Sequence, residues 1–112
     1  MDAIEHLTEE SFEAAADRPA LIVVDFWAAW CGPCRAMAPQ FERAAALRPQ
    51  YRFAKVDVDA EPALAAAYDI RSIPTLMVLR DGTPIAAQAG VVGADELVQA
   101  LDRLDSADAV AA

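Results

Sequence analysis

Apolar residues in this chain come in short blocks whose period switches between two and about 3.6. The block "LIVVDFWA" (21–28) is apolar on both faces and rich in β-branched and aromatic residues, which predicts a central strand covered by helices on either side. Asp25 is its one interruption. "IEHL" (4–7) reads as a short edge strand, and "RFAKVDVD" (52–59) alternates in the manner of a strand. "TLMVLRDGTPIAAQAG" reads as two antiparallel strands joined at Asp81-Gly82, a strong signal for a tight hairpin turn. Between these strands lie helical stretches. "TEESFEAAADR" offers Thr8 as N-cap with Glu9 and Glu10 in the first turn, and Pro19 closes it. Residues 34–48 favour helix despite Pro39 inside, and Pro49 ends them. "DAEPALAAAYDI" follows with Asp59 as expected N-cap and Pro62 in its first turn. "GADELVQALDRL" places Leu97, Val98, Leu101 and Leu104 on one face of an amphipathic helix. Alternating strands and helices with a closing hairpin predict an α/β fold: a central mixed sheet with helices on both faces. One domain is expected over 1–105, with 106–112 as a frayed tail of small residues.

Composition narrows the class of partner. The chain has 112 residues, 56% of them apolar, which suffices for one continuous core. Its 18 acidic and 9 basic residues give a formal charge of −9, which argues against nucleic acid and anionic membrane, since both are polyanions. Soluble protein partners are expected instead. No apolar run approaches the roughly 20 residues of a membrane helix. "MDAIEHLTEE" has no basic segment followed by an apolar stretch, so the expected compartment is the cytoplasm.

In that reducing compartment the two cysteines carry the interest. Cys31 and Cys34, with Gly32 and Pro33 between them, fall where the central strand gives way to a helix. A helix N-terminus favours an anion, so the first thiol should ionise more readily than a free cysteine, and the thiolate is the nucleophile. Two residues apart, the sulfurs can reach bonding distance, and a mixed disulfide on Cys31 can be resolved by Cys34. Gly32 allows close approach of a substrate, while Pro33 is tolerated at a helix start. Three other readings compete. A structural disulfide closing so short a loop contributes only about 2 kcal/mol. A zinc site needs about four N or S ligands, and beyond the pair the chain offers only the distant His6. An iron–sulfur cluster needs a second copy of the chain.

More than the bare spacing is present. "VVDFWAAWCGPCRAMAP" resembles the active-site segment of the thioredoxin family, and the likeness continues in order at "AKVDVD", "YDIRSIPTL", "RDG" and "AG". The resemblance implies the thioredoxin fold and reduction of protein disulfides by dithiol exchange. It implies regeneration by an NADPH-dependent thioredoxin reductase, a monomer, and no bound cofactor or metal. By the same resemblance Cys31 is the attacking cysteine, Cys34 the resolving one and Asp25 the buried carboxylate. A lone carboxyl in an apolar strand should have a raised pKa, which suits it to accept the Cys34 proton; a side chain satisfied by local hydrogen bonds is the alternative. Lys55 matches the lysine that tunes that carboxylate. Pro74 matches a cis-proline facing the disulfide, although from the residues alone cis is the minor form. Trp30, Gly32, Pro33, Ile73, Pro74, Gly90 and Val91 would form a mostly apolar docking surface. Trp27, Met37 and Phe41 read as core. The chain departs from the family pattern at Arg35, where lysine is frequent, at Ala29, often acidic or polar, and at Ser72, often glycine. None of these removes a reacting group. An oxidant or isomerase on the same fold and a binding module without redox turnover stay open as rival functions.

Overall fold

A computed structural model describes the backbone of residues 3–111 and the side chains of 3–107. Its elements are β1 (Ile4–His6), α1 (Phe12–Asp17), β2 (Leu21–Trp27), α2 (Gly32–Leu47), β3 (Arg52–Asp57), α3 (Pro62–Ala67), β4 (Thr75–Arg80), β5 (Thr83–Ala89) and α4 (Ala94–Ala111). The strands form one mixed sheet in the order β1-β3-β2-β4-β5. β3 lies parallel between β1 and β2, while β4 runs antiparallel to both β2 and β5.

The apolar run of β2, interrupted only by Asp25, follows from this central place, because each of its faces is roofed by helices. Leu21 and Val23 pack with Met37 and Phe41 of α2 and with Leu97 and Leu101 of α4. Ile22, Val24 and Phe26 pack on the opposite face with Phe12 of α1 and Leu64 of α3. Strand alternation therefore turns Asp25 toward α2, on the face of Leu21 and Val23. Phe41 meets Phe53 edge to face, with ring centroids 5.4 Å apart. The hairpin turns at Asp81 and Gly82, with φ of 50° and 81°, the backbone that an Asp-Gly pair accepts at low cost.

Three expectations change. α1 starts at Phe12 rather than just after Thr8. Thr8 and Ser11 instead exchange hydrogen bonds, the Thr8 N–H donating to Ser11 Oγ at 2.9 Å and the Ser11 N–H to Thr8 Oγ1 at 3.2 Å, which fixes a turn ahead of the helix. α3 starts at Pro62 behind Glu61, and Asp59 does not cap it. α4 continues to Ala111, so the backbone of 106–111 is helical where the sequence suggests a tail; no Gly or Pro stops it, and alanine propagates helix well. Ala112 lies outside the described residues. Among the described residues no helix is long and apolar enough to cross a membrane.

Candidate functional site

The site sits where β2 ends and α2 begins. Cys31 is the N-cap of α2 and Cys34 lies one turn in, and the two are joined as a disulfide with Cα atoms 5.2 Å apart. The N-cap sulfur accepts the Cys34 backbone N–H at 3.2 Å, the place a serine or aspartate oxygen takes in other helices. An N–H aimed at that sulfur, at the positive end of a 16-residue helix, stabilises a thiolate there once the disulfide opens. Pro33 in the first turn gives up an N–H that the helix would not have used. Each sulfur-bearing residue is only 4% exposed, tucked against Ala28 with Trp27, Val58 and Ile73 around. Among the described residues no group of three or more His, Cys, Asp or Glu is placed to hold a metal ion.

The Ile73–Pro74 peptide bond is cis, and the Ile73 carbonyl oxygen lies 3.8 Å from Cys31 Sγ. Pro74 itself is buried in the folded chain. Around the disulfide, Trp30 is 67% exposed and Val91 49%, Gly32, Pro33 and Gly90 are exposed, and Ile73 is half-buried. A cavity of about 310 Å³ lined by Trp30, Val58, Pro62, Ile70, Arg71 and Ile73 extends this apolar surface on one side. The Trp30 indole N–H donates to Asp59 Oδ2 at 2.8 Å, which holds the large exposed ring in one orientation. Sequence reasoning placed Asp59 at a helix cap and missed this partner, because a contact across 29 positions leaves no periodic signal.

Within β2, Asp25 is fully buried and neither carboxylate oxygen has a hydrogen-bond partner among the described residues. Desolvation, partly offset by the charge of Lys55, raises its pKa from 3.8 to about 6. Lys55 is its register neighbour on β3, on the same sheet face, and its ammonium stands 5.1 Å from the Trp27 ring centroid. Trp27 is thus partly buried and in contact with the lysine, while its own indole N–H has no partner among the described residues. Lys55→Met removes the attraction and leaves the burial, so the Asp25 midpoint should move above pH 6 when the carboxyl carbon is titrated by NMR. A midpoint that stays still would mean that the ammonium lies too far into solvent to be felt.

What these residues can do together is exchange disulfides: two sulfurs able to cycle between dithiol and disulfide, a backbone turn facing one of them, and a buried carboxyl in the preceding strand whose pKa is raised to about 6. Comparison with known proteins agrees. The thioredoxin family model matches residues 3–103. Thioredoxin C-3 of Corynebacterium nephridii is 44% identical over 100 residues, covering 87% of this chain and 68% of that protein. Thioredoxin of Staphylococcus aureus is 39% identical over 102 residues, 90% of this chain and 97% of the other. Among solved structures, a chain from work on the thiol resolving mechanism in yeast mitochondrial 1-Cys peroxiredoxin via glutathione/thioredoxin systems matches with a TM-score of 0.82 and 29% identity, covering 90% of this chain and 95% of that one. The family match spans all five strands and the Cys31–Cys34 pair, and by it this chain belongs to the thioredoxin family of thiol–disulfide oxidoreductases.

Proposed function

We propose that this protein runs its dithiol in the reducing direction, as a monomeric cytoplasmic reductase of protein disulfides recycled by an NADPH-dependent thioredoxin reductase. The observation that carries the reading is the Cys31–Cys34 pair at the N-terminus of α2, with the Cys34 N–H directed at Cys31 Sγ. Cys31, as thiolate, attacks one sulfur of a substrate disulfide. A mixed disulfide forms and the other substrate sulfur leaves as thiolate. Cys34 then gives its proton to Asp25 and attacks Cys31 Sγ. The second substrate sulfur leaves, the substrate has gained two electrons, and the protein is left as the Cys31–Cys34 disulfide. Two electrons from the reductase reopen it.

Asp25 suits the proton-accepting role because it sits on the sheet face that α2 covers and titrates near pH 6, where a base can both take and return a proton at neutral pH. Lys55 lowers that pKa and so keeps the carboxylate ionised enough to act. Trp30, Gly32, Pro33, Ile73, Gly90 and Val91 surround the sulfurs as the docking surface, and Pro74 shapes the turn. A negative overall charge leaves partners to be gripped by apolar contact and backbone geometry rather than by steering of polyanions.

The test of direction is the reduction potential of the Cys31/Cys34 couple, found by equilibration in dithiothreitol redox buffers with fluorescence from Trp27 and Trp30 as the signal. A strongly reducing value is expected. A value well to the oxidising side would make the protein a donor or shuffler of disulfides, and the absence of a two-electron transition would remove redox turnover altogether.

A further inference from the structure

The segment 90–93 joins β5 to α4 and carries Gly90 and Val91 of the docking surface. Its anchoring N–H groups alternate. The Gly90 N–H donates to the Pro74 carbonyl at 2.9 Å, the Val92 N–H to Met37 Sδ at 3.3 Å, and the Ala94 N–H to Gln40 Oε1 at 2.9 Å. Every second N–H is thus directed inward, first onto the cis-proline turn and then onto α2. Between them Val91 stands outward, 49% exposed, while Val92 is drawn in to 8%. Gly90 makes the turn possible with a φ of 94°, a conformation that other residues adopt only under strain.

Both α2 acceptors lie three residues apart on one helix face, three and six residues beyond Cys34. Met37 is fully buried, so sequence periodicity assigns it to the core, yet its thioether also accepts a backbone N–H that no hydrocarbon of the same size would satisfy. Gln40 takes an N–H at the start of α4 that has no partner within its own helix.

We propose that Met37 and Gln40 are positioning residues for substrate docking: from the helix that carries the redox pair they hold Val91 at a fixed place relative to Cys31. They touch no reacting atom. The inference rests on the reading of Gly90 and Val91 as part of the docking surface. Its consequence is a division of labour, in which these two side chains set the grip on a protein disulfide and leave the exchange chemistry alone.

The test compares insulin, a protein disulfide, with 5,5′-dithiobis(2-nitrobenzoate), a disulfide too small to span the loop. For the Met37→Leu/Gln40→Leu double variant the KM for insulin should rise on the order of fivefold, the size expected from losing about one hydrogen bond of positioning. The rate with the small disulfide should stay within about twofold and the reduction potential should not move. Amide exchange at Val92 and Ala94 should speed up. Gln40→Leu alone, at a half-buried position, serves the same comparison if the double variant folds poorly, and Gln40→Glu, which keeps an acceptor oxygen facing α4, should restore the parent KM. Val91→Glu is the control for the docking reading. If it leaves the insulin KM unchanged, the docking reading falls. If it raises KM while the Leu variants, with faster amide exchange, do not, the docking surface stands and the positioning role is overturned. Equal losses on insulin and the small disulfide would overturn it too, by placing the effect in the redox centre.

Discussion

The Cys34→Ser variant is expected to stop halfway, holding substrates as mixed disulfides on Cys31 with turnover reduced to background. The expectation follows from where the two residues stand. Cys31 is the N-cap of α2, receives the Cys34 N–H and faces the Ile73 carbonyl, whereas Cys34 lies one turn inside the helix; the two are equally buried. By its place at the helix end rather than by exposure, Cys31 is the one expected to meet a partner delivered along the exposed Trp30 and Val91 surface. A serine hydroxyl gives up its proton far less readily than a thiol and forms no stable bond to sulfur, so it cannot attack Cys31 Sγ and the adduct has no intramolecular exit. Incubation of Cys34→Ser with oxidised insulin or with a cell extract should give covalent adducts that dithiothreitol releases and that peptide mapping places on Cys31. Cys31→Ser should give almost none. Comparable adducts through Cys34 in the Cys31→Ser variant would reverse the assignment of attacker and resolver. A double Cys→Ser variant that keeps all biological activity would instead mean that the protein serves as a binding module.

The difference between what was legible in the sequence and what was not is one of range. The strand β2 was legible because a seven-residue run apolar on both faces except at Asp25 fits a central position, and the β4–β5 hairpin because Asp81-Gly82 answers a local backbone demand. Leu97, Val98 and Leu101 are buried as their helical spacing predicts. The insertion of β3 between β1 and β2 was not readable, since hydrophobic period says which face is covered and nothing about which strand lies alongside. The same limit hid the functional contacts. Trp30 to Asp59, Val92 to Met37 and Ala94 to Gln40 each join residues 29 to 55 positions apart, beyond the reach of any helix or strand period. The cis form of Ile73–Pro74 was expected only through family resemblance, as nothing in the neighbouring residues requires it. Asp25 is the instructive middle case. A charged residue inside an apolar run signals a buried carboxyl, but only the sheet register shows that its neighbour is Lys55.

That carboxyl gives the largest expected change in stability. Asp25 ionises near pH 6 in the folded protein against an ordinary value of 3.8, so between those values the folded chain holds a proton that the unfolded chain has lost. The protonated carboxyl therefore supports folding fully below about pH 4, and this contribution is lost as pH rises through 6. A shift of about two units corresponds to about 3 kcal/mol between the acidic and the alkaline side. Asp25→Asn keeps the shape and removes the ionisation, so the variant should match the parent near pH 4 and exceed it by about 3 kcal/mol at pH 8, a rise in Tm on the order of 10 °C. Urea unfolding of both proteins at a series of pH values measures the difference directly, and groups such as Tyr51 and Asp102, common to both, cancel. The same substitution removes the proton acceptor for Cys34. Reduction of insulin should slow by roughly 10²-fold at neutral pH, the lower end of what a positioned general base contributes. Below pH 6 the gap should narrow, because there the parent carboxyl is itself protonated. A variant both more stable and slower is what a buried base retained at the expense of the fold must produce; one that is less stable at pH 8 and equally fast would take Asp25 out of the mechanism and leave the Cys34 proton to solvent.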